Sequence, residues 1–457
     1  MEQVKNDFSQ GSVSRNIMGL AIPMTLAQLI NVLYNVVDRI YIGRIPENAM
    51  LSLTGIGLAL PIITMVIAFA NLFGMGGAPL CSIERGRGNL EEAEKIMGNS
   101  FIMMIVCGII LTILGILFKK PMLYLFGASD ATFPFADAYI SIYLLGSVFV
   151  MVGLGMNSFI NSQGFGKIGM YTVLLGAITN IILDPIFIFV LNLGVRGAAL
   201  ATVFSQFLSA LWIYHFLTGK KTILKLKWSY MKLEWKRVKK IIGLGLSGFT
   251  MAITNSAVQI MCNATLQVYG GDLYVGVMTV INSVREVATM PICGISQSSQ
   301  PVLGYNYGAG RYDRVKQAVT FSTGCLVFYT TIMWAVIHIF PEFFIKIFNR
   351  DPELMEAGIY SIRIYFFGFF MMSLQFAGQA IFVGLGKSRK AIFFSIFRKI
   401  VIVVPLTIWL PSLFDLGTKG VFLAEPISNF IGGLACFGTM LLTVWPELTK
   451  KQKEQKL

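Results

Sequence analysis

Four acidic residues lie inside long apolar stretches of the sequence, where ionisable side chains are rare. They are Asp38, Asp184, Glu286 and Glu425. An acid at the centre of a lipid-facing helix costs at least about 2.5 kcal/mol, so each such residue marks a function or a partner of opposite charge. The chemistry open to a buried carboxylate of this kind is the binding of a cation or a proton.

Asp184 has neighbours that favour a cation site. Asn180 lies one helical turn earlier, so the two side chains share a helix face. Pro185 disrupts the helical hydrogen bonds behind it and exposes carbonyl groups. Thr202, in the next apolar stretch, adds a hydroxyl. With Asp38 these residues supply oxygen ligands for a hard cation or a proton; a polar cluster that only holds helices together is the alternative.

The other two acids have basic neighbours. Arg398 and Lys399 lie in the span before Glu425, and we expect one of them to form a buried ion pair with it. Such a pair is interpreted as structural rather than ion-conducting, because each charge needs a counter-ion. Glu286 follows Arg285 directly, and we expect it to pair with a neighbouring or interhelical charge. Ion coupling is therefore assigned to the first half of the chain.

The composition shows which elements must position these residues. The chain has 457 residues, of which 55% are hydrophobic and 13% charged, and its mean hydropathy is +0.70. Soluble proteins have about 45–50% apolar and about 25% charged residues, so this is a polytopic membrane protein. Stretches long enough to span a bilayer predict twelve transmembrane helices. They are 17–42, 51–80, 101–118, 138–160, 169–191, 197–217, 241–268, 275–302, 318–340, 359–383, 391–411 and 421–444.

Basic residues in the loops predict the orientation. Lysine and arginine divide 25 to 7 between the two faces, and the richer face is cytoplasmic by the positive-inside rule. Both termini are then cytoplasmic, the N-terminus carries no cleavable signal peptide, and the protein is expected in the cell membrane. The net charge of +14 is spread over one membrane face, which argues against nucleic-acid binding.

A basic linker, 218–240, separates the two sets of six spans. It contains nine basic residues and one acid, Glu234. Trp228, Met231 and Trp235 recur in it at helical spacing. This pattern predicts a short amphipathic helix on anionic headgroups, acting as a topological anchor rather than as a lipid-specific regulatory site.

The two halves are related by an internal repeat. PLCSIERGRGN from Pro79 matches PVLGYNYGAGR from Pro301 at an offset of 222 residues, and Pro185 matches Pro405 at 220. Because six spans are even in number, the copies are parallel and enclose a central cavity. The predicted fold is all-α, with an N-terminal lobe (1–217), the linker (218–240), a C-terminal lobe (241–444) and a basic cytoplasmic tail (445–457).

Several classes of function lack their residues. The two histidines, His215 and His338, lie in different apolar stretches, which excludes a histidine-based metal triad or catalytic relay. The six cysteines show no CxxC spacing and are interpreted as small membrane hydrophobes. GLGKS at Gly384 is not a P-loop, because it lacks the upstream glycine and a preceding strand. We therefore expect no enzyme, no cofactor and no ATP site, and an ion gradient as the energy source.

An ordered set of motifs carries a family resemblance from about Arg15 to Val444. It consists of YNVVDRIYIGR at Tyr34, PLCSIERGRGN at Pro79, NIILDPIFIF at Asn180 and GVRGAALATVFSQ at Gly194. The chain resembles the multidrug and toxic compound extrusion (MATE) family of cation-coupled exporters. The resemblance implies two lobes around a V-shaped cavity, and export of amphiphilic, mainly cationic compounds in exchange for Na+ or H+.

The resemblance also implies site residues. The N-lobe cation site would comprise Asp38, Asn180, Asp184 and Thr202, with Asn157 and Tyr139 in support. No metal is expected beyond Na+. The sequence departs from relatives with essential acids in the C-lobe, since uncharged Gln375, Gln379, Asn255, Gln259 and Asn263 stand there.

We therefore predict a secondary active multidrug exporter that works by alternating access, as a monomer among membrane lipids. Pro23 in the first helix is the predicted hinge. Candidate residues of the substrate cavity are Tyr34, Gln259, Asn263, Met290, Gln375 and Gln379. The alternative is a flippase for a lipid-linked oligosaccharide or isoprenoid carrier, in which Arg398 and Lys399 would bind a pyrophosphate; the acids of the first half weigh against it.

Overall fold

The chain folds almost entirely into α-helices. The structure, a computed structural model, describes residues 7–46, 49–348 and 351–455. Three basic residues used to predict the orientation, Lys5, Arg350 and Lys456, lie outside these ranges. The helices are α1 (Val13–Ile42), α2 (Ala49–Gly86), α3 (Leu90–Leu125), α4 (Phe133–Leu145), α5 (Ser147–Ser162), α6 (Gly166–Pro185), α7 (Val195–Thr218), α8 (Trp235–Gly308), α9 (Tyr312–Ile339), α10 (Pro341–Lys346), α11 (Pro352–Phe366), α12 (Met372–Gly384), α13 (Ser388–Ile396), α14 (Val404–Trp409) and α15 (Thr418–Glu454).

The membrane-spanning helices agree with the twelve predicted spans. In the described residues, ten helices are long and apolar enough to cross a bilayer, and the bent pair α4 and α5 makes an eleventh span. The 74-residue α8 is interrupted at Gly271, where φ is 65° and ψ is −163°, so it divides into two spans. The predicted all-α, twelve-span fold is confirmed.

Local sequence explains where several helices begin and bend. Asn89 caps α3 by accepting a hydrogen bond from the Glu92 amide at 3.1 Å. α4 and α5 meet at an angle of 58° at Gly146. A Cβ atom at Gly146 would lie 2.5 Å from the methyl groups of Val203, so glycine at the bend lets α7 pack closely.

The internal repeat is visible in the backbone of two loops. Asn192 and Asp415, separated by 223 positions, are the two non-glycine residues with positive φ in the described parts of the chain, at 55° and 51°. Gly194 and Gly417 have nearly identical dihedrals, with φ of 54° and 52° and ψ of −131° in both. The loops that precede α7 and α15 therefore share one strained conformation, as a duplication predicts.

The chain divides into two compact units. Among the described residues, the first, the N-unit, comprises Asp7 and those from Leu26 to Gly245, and the second, the C-unit, comprises those from Phe8 to Thr25 and from Leu246 onward. The chain passes between them before α1, between Asp7 and Phe8, then inside α1, between Thr25 and Leu26, and inside α8, between Gly245 and Leu246. Residues 218–234, the part of the predicted linker before α8, lie in the N-unit.

The linker differs from the predicted amphipathic helix. Between α7 and α8 the chain is largely irregular, with one short 3-10 turn at Trp228–Tyr230. Trp228 and Trp235 are each 74% exposed, whereas Met231 is buried, so the three residues do not form one apolar face. The prediction of a helix lying on the membrane surface was wrong for this segment.

Buried polar side chains of the N-unit explain the irregular linker. The Gln163 Oε1 atom accepts hydrogen bonds from the backbone amides of Ile223 and Leu224 at 3.0 and 2.7 Å. Glu94 accepts one from the Lys225 amide at 2.9 Å and forms an ion pair with Lys227 at 2.6 Å, and this side-chain hydrogen bond raises the pKa of Lys227. Because these acceptors take the amide protons, the backbone is held away from helical pairing.

A second set of contacts fixes the end of the linker. The fully buried Asn99 amide donates to the carbonyl groups of Tyr230 and Lys232, and its Oδ1 accepts from the Glu234 amide at 2.9 Å. Gly76 and Gly245 then bring α2 and α8 into backbone contact, since a Cβ atom on Gly245 would overlap the Leu72 carbonyl. The linker is thus part of the packed N-unit.

Candidate functional site

Asp184 lies at the end of α6, immediately before Pro185 and a π-helical turn, Ile186–Val190. Proline lacks the amide proton that would continue the α-helical ladder, and such π-helical turns occur frequently at functional sites. Asp184 is fully buried. The interruption of the helix therefore lies next to the carboxylate of Asp184, which is not exposed to solvent.

Two further polar residues meet Asp184. The Asn180 Nδ2 atom lies 3.4 Å from Asp184 Oδ1 and 3.4 Å from Thr202 Oγ1 on α7. Both are long hydrogen bonds. The structure thus brings Asn180, Asp184 and Thr202 together, as the helical spacing and the neighbouring span predict.

Asp38 on α1 joins the same group. Its carboxyl group lies close to that of Asp184, so a single proton or a cation placed between them would be shared. Among the described residues, no lysine or arginine forms an ion pair with either acid at 4.0 Å or less. Two carboxylates in contact without a basic partner repel each other until a cation or proton binds.

Tyrosine hydroxyls surround this pair. Tyr139 is buried and reaches Thr202, and its ring stacks on Tyr143 with 6.2 Å between centroids. Tyr34, predicted as a cavity residue, lies close to Asp38 and Asp184 instead. Sequence reasoning missed Tyr143, although its position four residues after Tyr139 places both rings on one face of α4.

Several oxygen atoms of the group have no hydrogen-bond partner in the described residues. They are Asp38 Oδ1, Asp184 Oδ2 and Asn180 Oδ1, all inaccessible to solvent. Buried acceptors are normally paired, and leaving one unpaired costs about 1–3 kcal/mol. Three converging lone-pair donors are the arrangement that a hard cation satisfies.

Asn157 lies outside this group. Its Nδ2 atom donates to the Gly169 carbonyl at 3.3 Å, near the beginning of α6. Gly169 precedes Asn180 by eleven positions on the same helix, a distance of about 16 Å at the α-helical rise. The structure therefore does not bring Asn157 to the carboxyl pair.

The predicted cavity residues of the second half occupy different environments. Gln375 and Gln379 lie within the C-unit and bridge helices, donating to the carbonyl groups of Phe394 at 3.4 Å and Ala391 at 2.9 Å. Gln259 is exposed and lines a narrow cavity in the C-unit. Asn263 is half-buried with an unpartnered Oδ1, and Met290 is buried.

The C-unit contains the predicted ion pair at Glu425. Its carboxylate contacts Arg398 Nη1 and Lys399 Nζ, each at 3.3 Å, and all three residues are buried. Arg398 also donates to the Asn429 side chain. The predicted contact is confirmed.

Glu286 differs from its prediction. It is exposed and forms no ion pair in the part of the chain that the structure describes. Neighbouring residues on a helix point about 100° apart, so Arg285 turns inward to Tyr365 while Glu286 turns away. The expected pairing of Glu286 was wrong.

Pro23 lies within the uninterrupted helix α1. It is buried, and it comes two residues before Thr25, where the chain leaves the C-unit. The Thr25 hydroxyl lies against Gly294 of α8, which has no side chain to exclude it. The part of α1 before the boundary is thus packed on α8.

The sequence comparisons decide the family. The MatE family model matches residues 23–186 and 247–409, most of both halves. The chain belongs to the MATE family. As a MATE protein it is a multi-pass membrane transporter, and the predicted family is confirmed.

Known multidrug export proteins and a solved MATE structure match along almost the whole chain. The multidrug export protein MepA of Staphylococcus haemolyticus is 24% identical over 428 residues, covering 93% of both chains. MepA of Staphylococcus aureus strain MRSA252 is 24% identical over 430 residues, covering 94% of this chain and 93% of the relative. A crystal structure of a MATE protein in a bent conformation is 23% identical and covers 100% of both chains with a TM-score of 0.91. This likeness supports the same fold.

Proposed function

We propose that this MATE protein is a secondary active multidrug exporter that exchanges amphiphilic, mainly cationic organic compounds for Na+ or H+. One observation carries the proposal. The half-buried Asp38 and the fully buried Asp184 form a carboxyl pair without a basic partner in the described residues, and three oxygen atoms of the pair and of Asn180 have no hydrogen-bond partner there. A pair of this kind in a membrane is retained because it binds a cation and releases it again.

Binding at the pair couples the ion to the cargo. With both acids charged, the N-unit carries negative charge that attracts a cationic compound. Na+ between the carboxylates weakens that attraction, and protonation of both acids removes it. Asn180 and Thr202 hold Asp184 in place for either ion, and the two acids compensate the ion's charge.

Helix α1 transmits the change. Asp38 lies on the part of α1 in the N-unit, and Pro23 lies just before the point where α1 leaves the C-unit. Movement of Asp38 toward Asp184 therefore applies a bending force to α1. We expect the helix to bend at Pro23, which cannot donate a helical hydrogen bond. Repeated bending between two states is the basis of the alternating access that we propose.

Three further features belong to this proposal. The cargo is chemically diverse, in keeping with the names of the MepA relatives. Both termini are cytoplasmic, from the 25-to-7 division of basic residues. The protein works as a monomer in the cell membrane.

The decisive experiment uses purified full-length protein in liposomes, with efflux of a fluorescent cationic dye followed under a Na+ gradient alone and a H+ gradient alone. We expect one gradient to drive efflux. Asp38→Asn and Asp184→Asn should each abolish it while the thermal unfolding midpoint persists.

Asp137→Asn is the matched control. Asp137 also lies in the N-unit but is paired with Lys119 at 2.7 Å, so its loss should leave gradient-driven efflux intact. Wild-type efflux in both Asp38→Asn and Asp184→Asn would overturn the proposal.

The flippase alternative has one supporting observation, the buried basic residues Arg398 and Lys399. Their charges are directed at Glu425 and Asn429 rather than at an open cavity. A flippase would show no dye efflux under either gradient, so the same experiment separates the two functions.

A further inference from the structure

The cluster around Glu425 has more positive charge than its single acid compensates. Arg398 and Lys399 both contact Glu425, and Arg285 lies near enough to interact with it electrostatically. The cluster therefore combines three basic residues with one acidic residue among the described residues. Arg398 and Lys399 are buried and Arg285 is half-buried. A charge within a membrane-spanning helix is costly without a partner of opposite charge, so the surplus calls for a negative charge from outside the chain.

Arg285 is the residue left uncompensated. Both Glu425 oxygens are already taken by Lys399, and one of them is shared with Arg398. No carboxylate forms an ion pair with Arg285 at 4.0 Å or less in the described residues, where its side chain interacts with the Tyr365 hydroxyl. Glu286, its neighbour in sequence, is exposed on another side of α8.

A narrow cavity opens beside Arg285. Its walls include Arg285, Asn282, Tyr365, Thr407 and Glu425, and it has room for little more than one water-sized group. Asn282 lies one helical turn before Arg285, and its Nδ2 atom is buried without a hydrogen-bond partner. A guanidinium, an unpaired amide donor and two hydroxyls thus converge on a space of small size.

Donors with surplus positive charge select an anion, and the size of the space limits it. A pyrophosphate does not fit, whereas a halide or one carboxylate group does. We propose that this C-unit cavity binds one small monovalent negative group, either free chloride or the carboxylate of a zwitterionic compound, against Arg285 and Asn282.

The first experiment tests free chloride and does not depend on the proposed export function. The thermal unfolding midpoint of the purified full-length protein is measured at constant Na+ concentration while gluconate is replaced by chloride or bromide. If chloride is the source, the midpoint rises saturably with either halide. Arg285→Gln should then require at least about tenfold more halide, because it removes a charge-assisted hydrogen bond.

Two variants control for general salt effects. Arg363→Gln removes an exposed arginine of another helix in the C-unit and should respond to halide as the wild type does. Asn282→Asp supplies a carboxylate beside Arg285, so in gluconate it should match the halide-loaded wild type and lose its halide response. A halide response that persists unchanged in both Arg285→Gln and Asn282→Asp would overturn the chloride assignment.

The second experiment tests a bound carboxylate and rests on the proposed function. Binding of rhodamine 110, which carries a carboxylate, is compared with binding of its methyl ester, rhodamine 123. If the cargo supplies the negative group, Arg285→Gln weakens rhodamine 110 binding about tenfold and leaves rhodamine 123 unchanged.

The two experiments together decide the proposal. A specific halide response or a specific loss of rhodamine 110 binding supports it and identifies the source. No halide effect together with equal changes for both dyes overturns it, even if gradient-driven efflux of a cationic dye is intact.

Discussion

In the N-unit, Asp38 and Asp184 face each other and no basic residue forms an ion pair with them in the described part of the chain. In the C-unit, Glu425 is contacted by both Arg398 and Lys399, with Arg285 nearby. The two places are related by the repeat, since Thr202 corresponds to Glu425 at an offset of 223 residues. Each also lies beside a π-helical segment, Ile186–Val190 in one half and Phe397–Val403 in the other.

The difference shows how a duplicated helical frame acquires two chemistries. The backbone at Gly194 and Gly417 has stayed nearly the same, while the charges on the neighbouring helices have become opposite. In the N-unit the acids have no basic partner among the described residues, as the exchangeable ion of our proposal requires. In the C-unit most of it is neutralised within the protein, which is typical of a structural ion pair.

The largest expected contrast concerns stability when one acid is removed from each half. Glu425→Gln leaves three cations without their acid and should cost about 3–5 kcal/mol. Asp184→Asn relieves repulsion between two acids and should leave stability unchanged or raise it. Thermal unfolding of both purified variants measures this, and equal losses would contradict the contrast.

A smaller effect tests whether the frames are equivalent. Asn192 and Asp415 adopt the same left-handed backbone conformation, so a β-branched residue should cost about 1–2 kcal/mol at either position. Unfolding of Asn192→Val and Asp415→Val should therefore shift by similar amounts, with Asn192→Gly and Asp415→Gly as unstrained controls. A loss of stability at only one of the two positions would show that the two loops do not tolerate the substitution equally, and would contradict the equivalence.

The smallest effect separates the roles of two buried tyrosines. Tyr139→Phe removes a hydroxyl that reaches Thr202, worth about 1 kcal/mol, and should raise the half-saturating concentration of the coupling ion about fivefold. Tyr365→Phe, beside Arg285, should leave that concentration unchanged and weaken the halide response instead. The two variants are compared by titrating dye efflux with the coupling ion and thermal unfolding with halide. If both variants change the same titration by the same amount, the two tyrosines do not have separate roles.

The sequence was sufficient for features that depend on local spacing. Apolar runs predicted the spans, including the two on either side of Gly271. The spacing of Asn180 and Asp184 put both on one helix face, where the structure has them within 3.4 Å. Asp38 was grouped with them by its chemistry, as the other acid within an apolar stretch of the first half, because no local pattern relates α1 to α6.

Features that depend on distant partners were not predictable in this way. The linker tryptophans and Met231 have helical spacing. The linker backbone amides nevertheless donate hydrogen bonds to Gln163, Glu94 and Asn99, which lie far away in the sequence. Asn157 is polar and lies in the expected span, yet the antiparallel packing of α5 and α6 places it near Gly169. In each case the decisive contact joins residues that no periodicity connects.

The routes by which the chain leaves each unit have a mechanical consequence. Of the three crossings, one lies before α1, between Asp7 and Phe8, whereas those between Thr25 and Leu26 and between Gly245 and Leu246 occur within helices. A loop would let one unit drift without disturbing the other, because slack chain absorbs displacement. A continuous helix resists stretching and twisting. Rotation of either unit therefore applies a twisting force to Asp38 on α1 and to the contact of α8 with α2 at Gly76 and Gly245. The number of independent movements available to the protein is correspondingly small.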